Sequence, residues 1–291
     1  MKKLMVIATV LVAVIGLSVA LGRTMLKHSS TSEAANTASS VAAQPAQMAD
    51  AADASGPGMT AVADAAQANK YLFVFFWKRE DEQTAAMKRV FEEAMKSLKD
   101  RAQSTVVCIA DPVEKGIAAK FELQRAPMPL VLVLAPNGAI TGGFPTKFEK
   151  QQLLDAFVTP VTERVMKQLQ DAKLVFVCIQ NDKTKSNDAA MRGVHDFKAD
   201  ARFASATEIV TLDPADPAET SFMADLKIDP QTKEAVTVFL VPPGSAIAEY
   251  KGATDKEELV ATLQRASSGS CAGGSCGPGG CPPNATQKAN D

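Results

Sequence analysis

Lys70–Trp77 (KYLFVFFW) and Lys173–Gln180 (KLVFVCIQ) read as two versions of one segment. Each is a continuous apolar run of strand length, the pattern of a strand buried on both faces. Further matches follow in the same order. Ala85-Ala86-Met87 recurs as Ala189-Ala190-Met191, Asp111-Pro112 as Asp213-Pro214, and Leu134-Ala135-Pro136 as Leu240-Val241-Pro242. Their offsets lie between 102 and 106 residues, too long for a solenoid repeat and right for a whole small domain. The 291-residue chain is therefore a duplication of one unit.

Within the first unit, strand-like and helix-like segments alternate, as in a mixed sheet with helices packed on its faces. After the strand Tyr71–Trp77, Met87, Val90, Ala94 and Leu98 recur at helical spacing, with Phe91 and Met95 widening the stripe. Thr105–Ala110 is a second strand, stopped by Asp111-Pro112, which opens a helix containing Ile117 and Phe121. Pro129–Ala135 is a third strand. Asn137-Gly138 supplies left-handed dihedrals for a tight hairpin into Ala139–Phe144. A last helix uses Phe148, Leu153, Leu154 and Phe157.

This order, with a proline opening the strand before an Asn-Gly hairpin, resembles the thioredoxin family from Gln67 to Val158. The residues that carry the resemblance are the apolar strand ending in Trp77, Asp111, Met128-Pro129, Asn137-Gly138 and Gly143. It implies an α/β fold of two tandem thioredoxin-like domains, each a mixed sheet flanked by helices. It also implies a cis Pro129, a minority state for an X-Pro bond that tertiary context must hold. Trp77, Met128 and Pro129 would then line a partner groove. The family's Cys-x-x-Cys positions fall on Asp81 and Thr84, within Asp81-Glu82-Gln83-Thr84. A helix N-terminus that would stabilise a thiolate meets carboxylates instead, which suit the helix dipole but exchange no disulfides. The second unit also lacks cysteine there (Asn181–Asp188), has Ala235 in place of the groove proline, and puts Pro242-Pro243-Gly244-Ser245 at the hairpin. Paired thioredoxin-like domains without active cysteines occur in the protein disulfide isomerase group as binding modules.

Lys2 and Lys3 precede an uncharged apolar run, Leu4–Leu21, followed by Arg23 and Lys27. Its length suits either a signal peptide with a long apolar region or a minimal spanning anchor, and either one exports the chain. Residues 23–58 are poor in large apolar side chains and read as a disordered tether. The expected organisation is thus 1–22 signal or anchor, 23–58 tether, 59–160 and 161–266 two domains, and 267–291 a flexible tail. A formal charge of −2 without a basic patch argues against nucleic acid as a partner.

Two of the five cysteines, Cys108 and Cys178, stand in apolar strand-like runs and read as buried, inert thiols. Cys271, Cys276 and Cys281 recur every five residues in a Gly-rich tail. They could form a disulfide with one thiol left over, hold Cu(I) or Zn(II), although the spacing matches no zinc-ribbon pattern, or belong to a passive tail. His28 and His195 are the chain's two histidines, so a multi-histidine metal site is excluded by count. Asp213–Glu219 lacks the glycine and oxygen spacing of a calcium loop and reads as the start of a helix. The expected function is an exported, membrane-tethered protein without catalytic thiols in its domains, which binds or scaffolds polypeptide partners. Two alternatives are a thiol-disulfide oxidoreductase and a copper or zinc carrier, each using the three tail cysteines as catalytic or metal-binding residues.

Overall fold

The structure is a computed structural model that describes residues 56–269. The segments read as signal, most of the tether, and the tail with Cys271, Cys276 and Cys281 lie outside the described residues. The first unit runs α1 (Pro57–Gln67), β1 (Tyr71–Trp77), α2 (Glu82–Lys96), β2 (Ala102–Cys108), α3 (Lys115–Lys120), β3 (Leu130–Leu134), β4 (Ile140–Pro145) and α4 (Lys150–Leu154). The second repeats it as α5 (Pro160–Gln170), β5 (Leu174–Ile179), α6 (Asn187–Ala199), β6 (Thr207–Leu212), α7 (Thr220–Leu226), β7 (Val236–Val241), β8 (Ser245–Lys251) and α8 (Lys256–Gly269). Among the described residues, no helix is long and apolar enough to cross a membrane.

Each unit holds a four-stranded sheet, in the orders β2-β1-β3-β4 and β6-β5-β7-β8. The first two strands of each unit are parallel and the remaining neighbours antiparallel. The central strands are buried on both faces, which is why β1 and β5 read as unbroken apolar runs. Phe73 and Phe75 face α2 and Phe91, while Leu72, Val74 and Phe76 face α1 and Ile117. Phe176, packed on Phe197 and Phe239, repeats the arrangement in the second unit.

Several boundaries differ from expectation. Pro57 and Gly58, assigned above to the tether, form the first turn of α1, and α8 runs on into Ser267 and Ser268. Strand β2 starts three residues early, at Ala102, because an edge strand tolerates polar Gln103 and Ser104. It ends at Cys108, whose C=O accepts the N–H of Asp111 in a turn. In the hairpin after β3, Gly138 alone takes a positive φ (+81°), while Asn137 stays right-handed and its side chain accepts the N–H of Ala139. The last helix of the first unit is only Lys150–Leu154, with Phe148 and Phe157 packing from its flanks.

The repeat is also offset from the sequence match. Asp111-Pro112-Val113-Glu114 corresponds to Asp216-Pro217-Ala218-Glu219, not to Asp213-Pro214. Both Asp111 and Asp216 cap a short 3-10 turn, accepting the N–H two residues on. Glu114 and Glu219, both buried, each turn back to the first helix of their unit. Glu114 accepts the N–H of Gly58 at 3.0 Å. Glu219 accepts the hydroxyl of Thr159 at 2.8 Å. Each carboxylate thus braces the start of its unit's first helix from a distance, Glu114 through a backbone N–H and Glu219 through the N-cap hydroxyl.

Helix α5 joins the units. Its Met166 packs into the core of the first unit while Val165 and Leu169 pack into the second. Gln170 brackets the edge strand β4, its side chain accepting from the N–H of Ile140 and donating to the C=O, both at 2.8 Å. Tyr71 donates to Glu163 across the same junction.

Candidate functional site

The segments expected to form a groove meet at one end of the first sheet. Phe76 pairs with Leu130, so the register carries Trp77, the last residue of β1, opposite Pro129. The Met128–Pro129 bond is cis. The C=O of Pro129 accepts the N–H of Thr146 at 2.7 Å, and Gln83 Nε2 donates to the C=O of Thr146 at 3.0 Å. The first turn of α2, the proline loop and the end of β4 are thereby held together around Trp77.

At the two positions where a thiol pair would stand, Asp81 is the N-cap of α2 and Thr84 is buried beneath it. Asp81 Oδ1 accepts the N–H of Thr84 at 2.8 Å. This bond, the Thr84 hydroxyl and nearby Arg79 hold the carboxyl below its ordinary range. The acids therefore cap a helix, and nothing at this turn can attack a disulfide. Trp77 and Met128 are half-buried and Pro129 is buried. The N–H and C=O of Met128 carry no hydrogen bond among the described residues.

The second unit closes the same place. Lys185, just before α6, pairs with the strand end preceding β7: its N–H donates to Lys233 and its C=O accepts from Ala235, both at 2.9 Å. Thr184 is buried beside it, donating to Asn187 at 2.7 Å, while Asn187 donates to the C=O of Asn181 at 2.8 Å. The chain thus covers this strand end itself in the second unit, and no described segment bonds to Met128 in the first. Sequence reasoning missed Gln83, Thr146 and Lys185. Polar side chains in an uncharacterised loop give no pattern of their own, and Ala235, which supplies the N–H that proline lacks, was the available signal.

Cys108 corrects an expectation. It is half-buried at the last position of β2, in register with Trp77, rather than inside the core. Cys178 is buried in β5, and burial pushes its thiol up to about 12. Both are free. His195 is exposed on α6. Among the described residues, no three His, Cys, Asp or Glu side chains are grouped as a metal site. A cavity of about 580 Å³ between the units is lined by Arg101, Phe144, Phe157, Met166 and Phe222, and holds none of the expected site residues.

Strand order defines the fold: each of the two units has the thioredoxin-like arrangement, without a Cys-x-x-Cys pair at the start of α2 or α6. No family model and no curated protein matches the chain. Among solved structures it is similar to the first two thioredoxin domains of Saccharomyces cerevisiae Eps1p, at 10% identity over 72% of this chain and 96% of that one, TM-score 0.28. It is similar to human ERp44 in its zinc-bound form, at 11% identity over 70% and 58% of the two chains, TM-score 0.31. A disulphide isomerase from Xylella fastidiosa Temecula1 is similar at 12% identity over 33% and 82%, TM-score 0.25.

Proposed function

We propose that this chain is an exported, membrane-tethered binding protein that holds extended polypeptide in the groove at Trp77, Met128 and Pro129. The observation that carries the reading is the contrast between the two units. An extended peptide laid beside the β3 end of the first unit would find the N–H and C=O of Met128 without partners. The half-buried ring of Trp77 would supply apolar contact. In the second unit Lys185 already pairs along the same strand end, through Lys233 and Ala235. Recognition through backbone groups and one aromatic suits many sequences, as scaffolding requires. The apolar run Leu4–Leu21 would tether the pair of domains at the outer face of the membrane.

Trp77 is the chain's one tryptophan and ends β1 beside the proposed groove. Titration with a reduced, carboxymethylated, tryptophan-free polypeptide should therefore change its fluorescence saturably. Absence of saturable change, with binding detected by other means, would place the contact elsewhere.

A further inference from the structure

The edge of the first sheet carries a second feature. Strand β2 has β1 as its one neighbour among the described strands. The N–H of Ile109 donates to the C=O of Trp77. By alternation, the odd-numbered residues of β2 turn their backbone groups toward β1, while Ser104 and Val106 turn theirs outward. The flanking outward groups are already used: the N–H of Ala102 donates to Leu98, and the C=O of Cys108 accepts from Asp111. Beside this open stretch, β2 and α2 leave a groove of about 590 Å³ lined by Phe91, Met95, Lys96, Lys99, Ser104 and Val106. Val106, 39% exposed, is one of two large exposed hydrophobic residues among those described.

The second unit shows what a protected edge looks like on the same fold. Ile209 stands where the first unit has Ser104, and it packs against the Phe176–Phe197 cluster. Phe203 stacks on Phe197 with centroids 4.5 Å apart, and the Arg202 guanidinium lies 4.9 Å from the Phe203 centroid. Lys173 and Lys198 hold Glu208 on the strand at 2.8 and 3.1 Å. A charged side chain on an edge strand is a common guard against pairing with other chains. Strand β2 has neither the filler nor the charge.

We propose that β2 is a docking edge for an extended acidic segment of a partner polypeptide, which adds as a strand and lays its apolar side chains over Met95 and Val106. Outward backbone groups of an edge strand supply affinity, and the groove beside it supplies selectivity. Charge picks the occupant. Lys96 and Lys99 have no ion pair among the described residues, and one carboxylate, Glu92, shares the groove with them. A second copy is disfavoured, because pairing β2 with itself about a twofold axis would bring the same lysines together. The site shares no residue with the Trp77–Met128–Pro129 groove, so either can fail without the other.

The test uses the full chain and two capped eight-residue peptides, one alternating valine with glutamate and the other valine with lysine. The amide resonances of Ser104 and Val106 should shift with the acidic peptide, which should bind at least about tenfold tighter than its basic counterpart. Val106→Pro removes one outward N–H at an edge position, where proline is tolerated, and should weaken acidic-peptide binding about tenfold or more. Lys96→Glu combined with Lys99→Glu should reverse the preference, and this arm stands even if the proline variant unfolds. Equal binding of both peptides, or no binding of the acidic one up to about 1 mM, would overturn the proposal. So would a dimer of the chain that Val106→Pro dissociates.

Discussion

Replacing Glu219 by alanine should destabilise the second unit through the start of α5. Glu219 is 3% exposed and accepts the Thr159 hydroxyl at 2.8 Å. Removing one partner of a buried hydrogen bond leaves the other unsatisfied, at a cost of about 1–3 kcal/mol. The expected loss is therefore ~1–3 kcal/mol. Burial raises the Glu219 carboxyl above its ordinary range, more than its hydrogen bonds lower it. Its folded-state pKa thus exceeds the unfolded one, and proton binding favours the native state. That contribution is complete below the unfolded value, about 4.3, and is lost as pH rises through the raised folded value. Glu219→Gln is neutral throughout, so its stability relative to the natural chain should improve between about pH 4 and pH 7. Urea denaturation followed by far-UV circular dichroism at both pH values measures this, and Trp77 fluorescence separates the first unit from the second. An alanine variant within about 0.5 kcal/mol of the natural chain would refute this argument, because that is the range of featureless surface sites.

Other outcomes follow from the same geometry. Gly193→Ala would place a Cβ 2.1 Å from the C=O of Thr254, so α6 and the start of α8 must separate; a loss of about 1–3 kcal/mol is expected in urea denaturation. Gln170→Ala removes both hydrogen bonds to Ile140 and should cost about 1–3 kcal/mol, with faster proteolysis near Val158 as the check. In a chain with Cys271, Cys276 and Cys281 changed to serine, iodoacetamide without denaturant should label Cys108 well before Cys178, whose thiol burial pushes up to about 12. The same chain should not reduce insulin disulfides, since Asp81 and Thr84 carry no sulfur.

The two apolar runs made the fold legible, because a strand buried on both faces leaves no polar position to disguise it. Pro129 and the Asn-Gly hairpin were legible for a similar reason, each being a residue type with few alternatives to its role. The repeat register was not. Asp213-Pro214 imitates Asp111-Pro112, and what separates it from Asp216-Pro217 is the buried Glu219, whose partner lies 60 residues away. Gly56-Pro57-Gly58 looked like tether because the glycines that admit close packing against Val113 and Glu114 also mark flexible chain. Cys108 was misplaced since an edge strand alternates imperfectly, and its last position says little about burial. The covering of the second unit's strand end by Lys185 depends on a backbone pairing, to which the side-chain sequence is nearly blind.

The claim that this strand end is covered in the second unit and unbonded at Met128 in the first is tested most directly at two backbone amides. Amide hydrogen exchange on the full chain, resolved to Met128 and Lys185, should be followed with and without a saturating reduced, carboxymethylated polypeptide. Lys185 should be protected in both states because its N–H is bonded to Lys233. Met128 should exchange rapidly alone and slow markedly when polypeptide is bound. Protection of Met128 in the free chain, or unchanged exchange there under saturation, would contradict the account.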